Sequence, residues 1–305
     1  MTTPDKHFTL ASGLMLLALG TVWGGSFFFA EIALDHVHPL TLVFYRVLWA
    51  LPFLGTWLWW RGIAVPRTPR IWAGYFVMGA LNNALPFSLI FWGQSQMDSG
   101  LAAILNGTTA VFGAVVAGIL LKDEPLTRAK ILGAMVGLLG VLVIMGPDLL
   151  KGFSIFNLAQ LAILAGALSY SLASVWGRVA LSGAAPEANA FGMLACSTIL
   201  MVPVVLWVDG PPRIDLPVLT WASILALAAL STASAYVLYF NILKRAGAAN
   251  LMLVTLLVPG VAVALGAAFL GERLSVQAFT GFGLIALGLM ITDGRVFGAL
   301  RRSLA

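Results

Sequence analysis

The chain has 305 residues, 60% of them hydrophobic and only 10% charged, with a mean hydropathy of +0.98; this composition excludes a soluble domain with a polar shell. The formal net charge is +5, yet no basic cluster is interleaved with aromatic residues on a soluble segment, so a nucleic-acid surface is excluded as well. The single cysteine, Cys196, permits no intrachain disulfide and says nothing about redox compartment.

Apolar runs long enough to cross a ~30 Å hydrocarbon core, which takes roughly 20 helical residues, recur along nearly the whole chain. They predict ten transmembrane helices, at about 9–30, 40–60, 71–95, 98–121, 128–146, 154–180, 187–208, 217–243, 247–270 and 275–293. The runs are continuously apolar, which favours helices over barrel strands that alternate apolar and polar residues. The first run follows Lys6 and has the outline of a signal peptide, with Ala18-Leu19-Gly20 as a poor cleavage site. Its hydrophobicity continues unbroken through Phe29, which favours a membrane helix. Two connections, Gln96-Met97-Asp98 and Ala246-Gly247-Ala248, are very short.

With ten spans both termini lie on one side, and charge assigns that side. Cytoplasmic termini place Lys6, Arg61, Arg67, Arg70, Lys122, Arg128, Lys130, Arg178, Lys244, Arg245, Arg295, Arg301 and Arg302 inside, and only Lys151, Arg213 and Arg273 outside. This is a pronounced positive-inside bias, and one missed or invented helix would scramble it.

Two stretches, Ala114 to Gly140 and Ala262 to Gly288, repeat at an offset of 148: Gly118, Glu124, Leu126, Gly133, Leu139 and Gly140 fall on Gly266, Glu272, Leu274, Gly281, Leu287 and Gly288. Five helices, an odd number, separate equivalent points, so the two halves, about 9–147 and 154–294, enter the membrane in opposite orientations. The extra Lys122, Arg128 and Lys130 of the first copy mark its cytoplasmic face. Inverted repeats are the architecture of secondary transporters, whose halves rock about a central site; a duplication kept only for packing is the blander alternative.

The stretches "ALGTVWGGSFFFAEIAL", "HPLTLVFYRVLWALPFL", "GQSQMDSGLAAILNGTTAVFGAVVAGILLKDEPLT" and "RAGAANLMLVTLLVPGVAVALGAAFLGERLS", in this order, resemble the EamA family of the drug/metabolite transporter superfamily. The resemblance covers nearly the whole chain in two copies. It implies a ten-helix inverted-repeat transporter of the bacterial inner membrane, often an exporter of amino acids or other small metabolites. Glu31 departs from the family's pattern, in which a lysine or a neutral residue is expected.

Taken in chain order, the candidate site residues begin with Trp23, deep in helix one, and Glu31 at its outer end. Trp57, Trp59, Trp60 and Trp72 flank a basic inner loop and read instead as interfacial anchors. Arg46 is the only charge well inside a span, ~10 Å along helix two from the outer face. Two readings fit it: an ion pair, with Glu31 the partner matched in depth and Asp98 the second, that pins helices one and two, or a contact with a substrate carboxylate or an outer gate.

Asn82 and Asn83 lie roughly 17 Å into helix three, and Asn106 about 12 Å into helix four from the other side, a similar depth. Amides there must be paired, so they either join helices or line a cavity. Pro86 and Pro259 cannot donate to the carbonyls of Asn82 and Thr255, which predicts an interrupted helix in each half. Ser169 and Tyr170 in helix six occupy the counterpart of the Trp23 region.

No carboxylate or histidine is expected near the midplane, so proton coupling through a buried acid has no candidate and facilitated diffusion or exchange stays open. There is no zinc-protease pair, nucleophile turn or P-loop. The expectation is therefore an all-α transporter without enzymatic activity, metal or cofactor, whose partners are the lipid bilayer and a small-molecule substrate; a homo-oligomer is compatible with the sequence. A membrane scaffold or sensor, or an importer, are the alternatives.

Overall fold

The computed structural model describes residues 10–122, 126–149, 154–181, 183–251 and 254–293. The repeat marker Glu124, and Lys6, Lys151, Arg295, Arg301 and Arg302 of the charge comparison, lie outside the described residues. Within them every regular element is helical. In chain order these are α1 (Leu10–Leu34), α2 (Pro39–Arg61), α3 (Pro69–Gln94), α4 (Ser99–Leu120), α5 (Arg128–Leu149), α6 (Ile155–Ala180), α7 (Pro186–Val208), α8 (residues 218–251), α9 (Val254–Leu270) and α10 (Val276–Asp293). Among the described residues eight helices are long and apolar enough to cross a membrane; Val254–Leu270 and Val276–Thr292 are shorter apolar helices.

Local chemistry sets several boundaries. Pro39, Pro69 and Pro186 open helices at a position where a missing N–H costs nothing. Gly62 ends α2 in a left-handed conformation, φ 63°, which a side chain would strain. One expected boundary moves: Ala246-Gly247-Ala248 is helical, and α8 continues to Leu251. A single glycine among alanines is too weak a break to stop a helix already propagating.

The packing respects an exchange of the two halves. That exchange carries the α3–α6 contact onto α8–α1, α4–α6 onto α9–α1 and α3–α7 onto α8–α2; the α2–α7 and α5–α10 contacts map onto themselves. The closest seam joins α5 to α10. A Cβ added at Gly288 would lie 2.5 Å from the Gly133 carbonyl oxygen, and one at Gly281 would lie 2.7 Å from that of Gly140. Position numbers rise along one helix as they fall along the other, so the two helices run antiparallel. The repeated glycines thus meet crosswise, Gly133 against the counterpart of Gly140 and Gly140 against that of Gly133, because without a hydrophobic drive between lipid-bathed helices close backbone approach is what gains dispersion contact.

Substituting Gly140→Val should therefore split this seam and cost on the order of 1–3 kcal/mol, the range for overpacking. Thermal unfolding in detergent, followed by size-exclusion chromatography, should show a lowered midpoint. Gly283→Ala, where an added Cβ meets open space, should not.

Candidate functional site

Helix α3 is interrupted by a π-helical turn at Ala80–Ala84, which carries both asparagines. Pro86 explains why the interruption sits there and corrects the carbonyl it was expected to free. In π register the missing N–H of Pro86 is owed to the carbonyl five residues back, Leu81, and Ser169 Oγ donates to that oxygen at 2.7 Å. Ser169 is thus a backbone partner and does not reach the cavity described below.

In the second half the interruption lies elsewhere than expected. Pro259 sits within the continuous α-helical part of α9, Val254–Leu265, with its ring against Gly107. Helix α9 turns to π register only after Leu265, at Gly266–Leu270, and a π turn without any proline lies in α8, at Ala229–Ser234. Hydroxyls stabilise it: Thr232 Oγ1 donates to the Leu227 carbonyl and Ser234 Oγ to that of Ala229, each five residues back and at 2.8 Å. Proline removes one donor but does not oblige the chain to change register, whereas these bonds favour the wider turn. The first-half helix α4 also breaks, at Gly107–Thr108, where Thr108 and Thr109 hydroxyls donate to the carbonyls of Leu105 and Asn106.

These interruptions surround a cavity of about 610 Å³. Trp23, Arg46, Asn82, Asn106, Tyr170 and Thr255 all line it, together with Phe87, Phe91, Tyr236 and Tyr239. The adjacent asparagines part company: Asn82 faces the cavity, while Asn83 is fully buried, donating to Ser197 Oγ at 2.9 Å and accepting from the Tyr236 hydroxyl at 3.1 Å. Asn82 Nδ2 in turn donates to the Tyr236 oxygen at 3.0 Å. Aromatic rings make the walls, with Trp23 and Tyr239 5.9 Å apart and Phe87 meeting Tyr170 edge-on at 6.3 Å.

Arg46 is the buried charged group of this site. It is 5% exposed and donates through Nε to Thr232 Oγ1 at 3.0 Å and through Nη2 to the Ser231 carbonyl at 3.4 Å. Its Cζ lies 3.9 Å from the centroid of the Phe87 ring. The expected ion pair with Glu31 does not form: the arginine is turned toward the π turn of α8, and Glu31 is turned toward α3, where it accepts from Gln94 Nε2 at 2.8 Å. Among the described residues no carboxylate pairs with Arg46.

Sequence reasoning missed Ser231, Thr232 and Phe87. The repeat held the signal for the first two, since the offset of 148 places Ser231 opposite Asn83, and Thr232 follows it.

The cavity has one open and one closed end. Its lining reaches Arg178, Ala184 and Pro186, beside the exposed turn between α6 and α7. At the other end carboxylates of the second half hold helix N-termini of the first. Asp209 accepts from Thr41 N at 3.0 Å and from Thr41 Oγ1 at 2.7 Å, and Glu272 accepts from Ser99 N at 2.8 Å and Gly100 N at 3.0 Å. Each supplies negative charge where unpaired N–H groups point. Tyr45 adds a hydroxyl donation to the Arg213 carbonyl. Burial and the neighbouring Glu272 carboxylate raise the pKa of Asp98, whose side chain makes no capping bond to α4.

The sequence profile of the EamA-like transporter family matches residues 11–146 and 157–292. A protein of Archaeoglobus fulgidus named an uncharacterized transporter is 29% identical over 80% of this chain and 84% of its own. One of Escherichia coli named a probable amino-acid metabolite efflux pump is 27% identical over 94% of this chain and 95% of its own. A solved crystal structure superposes with a TM-score of 0.66, covering 92% of this chain and 96% of that one. At 17% identity it speaks for the fold alone.

Single cysteines at Asn82, Asn106 and Tyr170, in a Cys196→Ala background, should react with a water-soluble thiol reagent. Cysteines at Asn83 and Ser169 should stay protected. Mass spectrometry of the labelled protein reads both, and equal protection at all five positions would contradict a wet cavity.

Proposed function

The chain belongs to the EamA-like transporter family, and on that premise we propose that it is a secondary transporter exporting amino acids or related small carboxylate metabolites across the inner membrane. In this reading ten helices span the bilayer as two inverted halves with both termini in the cytoplasm. The halves alternate access to the cavity that holds Arg46. Membrane transport of a small molecule, and not catalysis, is the family's activity; the direction and substrate class draw support from the relative named as an efflux pump.

The observation that carries the substrate reading is Arg46 itself. Removing a guanidinium from water costs several kcal/mol unless charge and hydrogen bonds replace the hydration. Here a hydroxyl, a carbonyl and an aromatic face replace part of it. Of the five N–H donors of an arginine two are engaged, so the two of Nη1 and one of Nη2 remain for a partner. A carboxylate entering the cavity would take a planar pair of those donors and supply the missing charge. The walls of Trp23, Phe87, Tyr170 and Tyr239 then suit an apolar remainder, and Asn82 and Asn106 its neutral polar groups.

The positive-inside assignment puts the open end, near Arg178, at the cytoplasmic side, which is the loading state of an exporter. The closed outer end depends on Asp209 and Glu272 holding the starts of α2 and α4. Movement of the second half away from the first would release both carboxylates together, a rigid-body route to outward opening.

Reconstituted into proteoliposomes, the wild type should exchange radiolabelled small carboxylates, amino acids included. Arg46→Gln should lower kcat/KM for that exchange at least tenfold at an unchanged yield of monodisperse protein, the equivalent of about 1.4 kcal/mol. Arg46→Lys should retain part of the activity. Wild-type rates in Arg46→Gln would remove the carboxylate contact from the mechanism.

A further inference from the structure

We infer that the cavity selects substrates of net negative charge, the deaminated or N-acylated relatives of amino acids over the zwitterions, and that their export is driven by the membrane potential without a coupling ion. This rests on the reading of Arg46 as the carboxylate contact. Among the described residues the lining contains two arginines, Arg46 and Arg178, and no aspartate, glutamate or histidine.

An α-ammonium group is fixed within a few ångströms of its own carboxylate. Bound at Arg46 it would lie about 5 Å from the guanidinium, with no anionic side chain in the lining to offset the repulsion. At the effective dielectric of a partly buried site that repulsion corresponds to a penalty on the order of 100-fold in affinity. The carboxylates at the closed end are engaged with other groups. Glu31 is bonded to Gln94, Asp209 to Thr41, and Glu272 to Ser99 and Gly100. What the lining offers beside Arg46 is neutral, from Asn82, Asn106, Ser174 and Tyr236. Such groups pair with an amide, a keto oxygen or a hydroxyl as readily as with water.

The energetics follow from the same charge count. The complex of Arg46 with a monoanion is neutral, so binding removes the isolated charge from the low-dielectric centre and lowers the barrier to reorienting the loaded protein. One negative charge leaves the cell per turnover. An inside-negative potential of 100 mV therefore supports a concentration ratio of about 50-fold, which needs no proton or sodium site.

Phenylpyruvate, N-acetylphenylalanine and phenylalanine share one side chain and differ in charge, so their radiolabelled forms test the inference in proteoliposomes of the full-length protein. A potassium gradient with valinomycin sets the potential, and protein-free liposomes give the background. Both anions should be taken up with kcat/KM at least tenfold above phenylalanine. Their flux should rise several-fold as the lumen is made positive and should not respond to an imposed pH gradient.

Transport of phenylalanine at rates equal to or above the anions, or anion flux indifferent to potential, overturns the inference. If phenylalanine alone moves and Arg46→Gln abolishes it, the carboxylate reading survives and net-charge selection falls. If none of the three moves, both fall.

Discussion

Away from water a helix can be interrupted only where some other group takes over the backbone bond it surrenders. The whole centre of this protein is arranged around that constraint. Leu81 loses its donor at Pro86 and is served by Ser169; the π turn of α8 is held by Thr232 and Ser234; the turn in α4 is closed by Thr108 and Thr109. In each case the irregular backbone adjoins the cavity, and the hydroxyls lie where the widened turn leaves carbonyls exposed. Arg46 belongs to the same network, since its two bonds are to the side chain and backbone of the α8 turn.

Outside that centre the two halves are joined by close backbone approach. Gly133 and Gly140 face Gly288 and Gly281 across α5 and α10, and Gly20 and Gly24 of α1 admit Leu257 and Val261 of α9. Seams between small residues suit a bundle in lipid, because they gain contact without needing polar bonds. The bonds at the closed end of the cavity are different in kind. Asp209 and Glu272 accept from N-terminal amide groups of α2 and α4, charge-assisted bonds that a shift of either helix would release. One set of contacts can stay together while the other exchanges, as rocking of two halves requires.

Arg46 links the architecture to chemistry. Its surroundings are neutral and aromatic, so its charge is stabilised incompletely by the protein itself. Among the described residues no aspartate, glutamate or histidine joins Arg46 in the cavity lining. Low-dielectric walls concentrate the arginine's field on an entering anion.

The all-helical class, the two-repeat layout and family membership were legible in the sequence because each depends on properties that run along the chain: apolar run length, loop charge and the offset of 148. Position along each helix was legible too, since rise per residue is constant, and Asn82, Asn106, Trp23 and Tyr170 all line one cavity. Rotation was not. Asn82 and Asn83 are neighbours about 100° apart around a helix, and only the placement of α7 and α8 decides that one lines the cavity while the other holds Ser197. The same uncertainty misassigned the partner of Arg46, which depth matched to Glu31 and packing gave to Thr232. The sequence by itself determined a two-repeat bundle of apolar helices and how far along each helix its polar residues lie; the tertiary structure decided which of them face each other, because facing depends on helix rotation and π register, and neither leaves a trace in hydropathy.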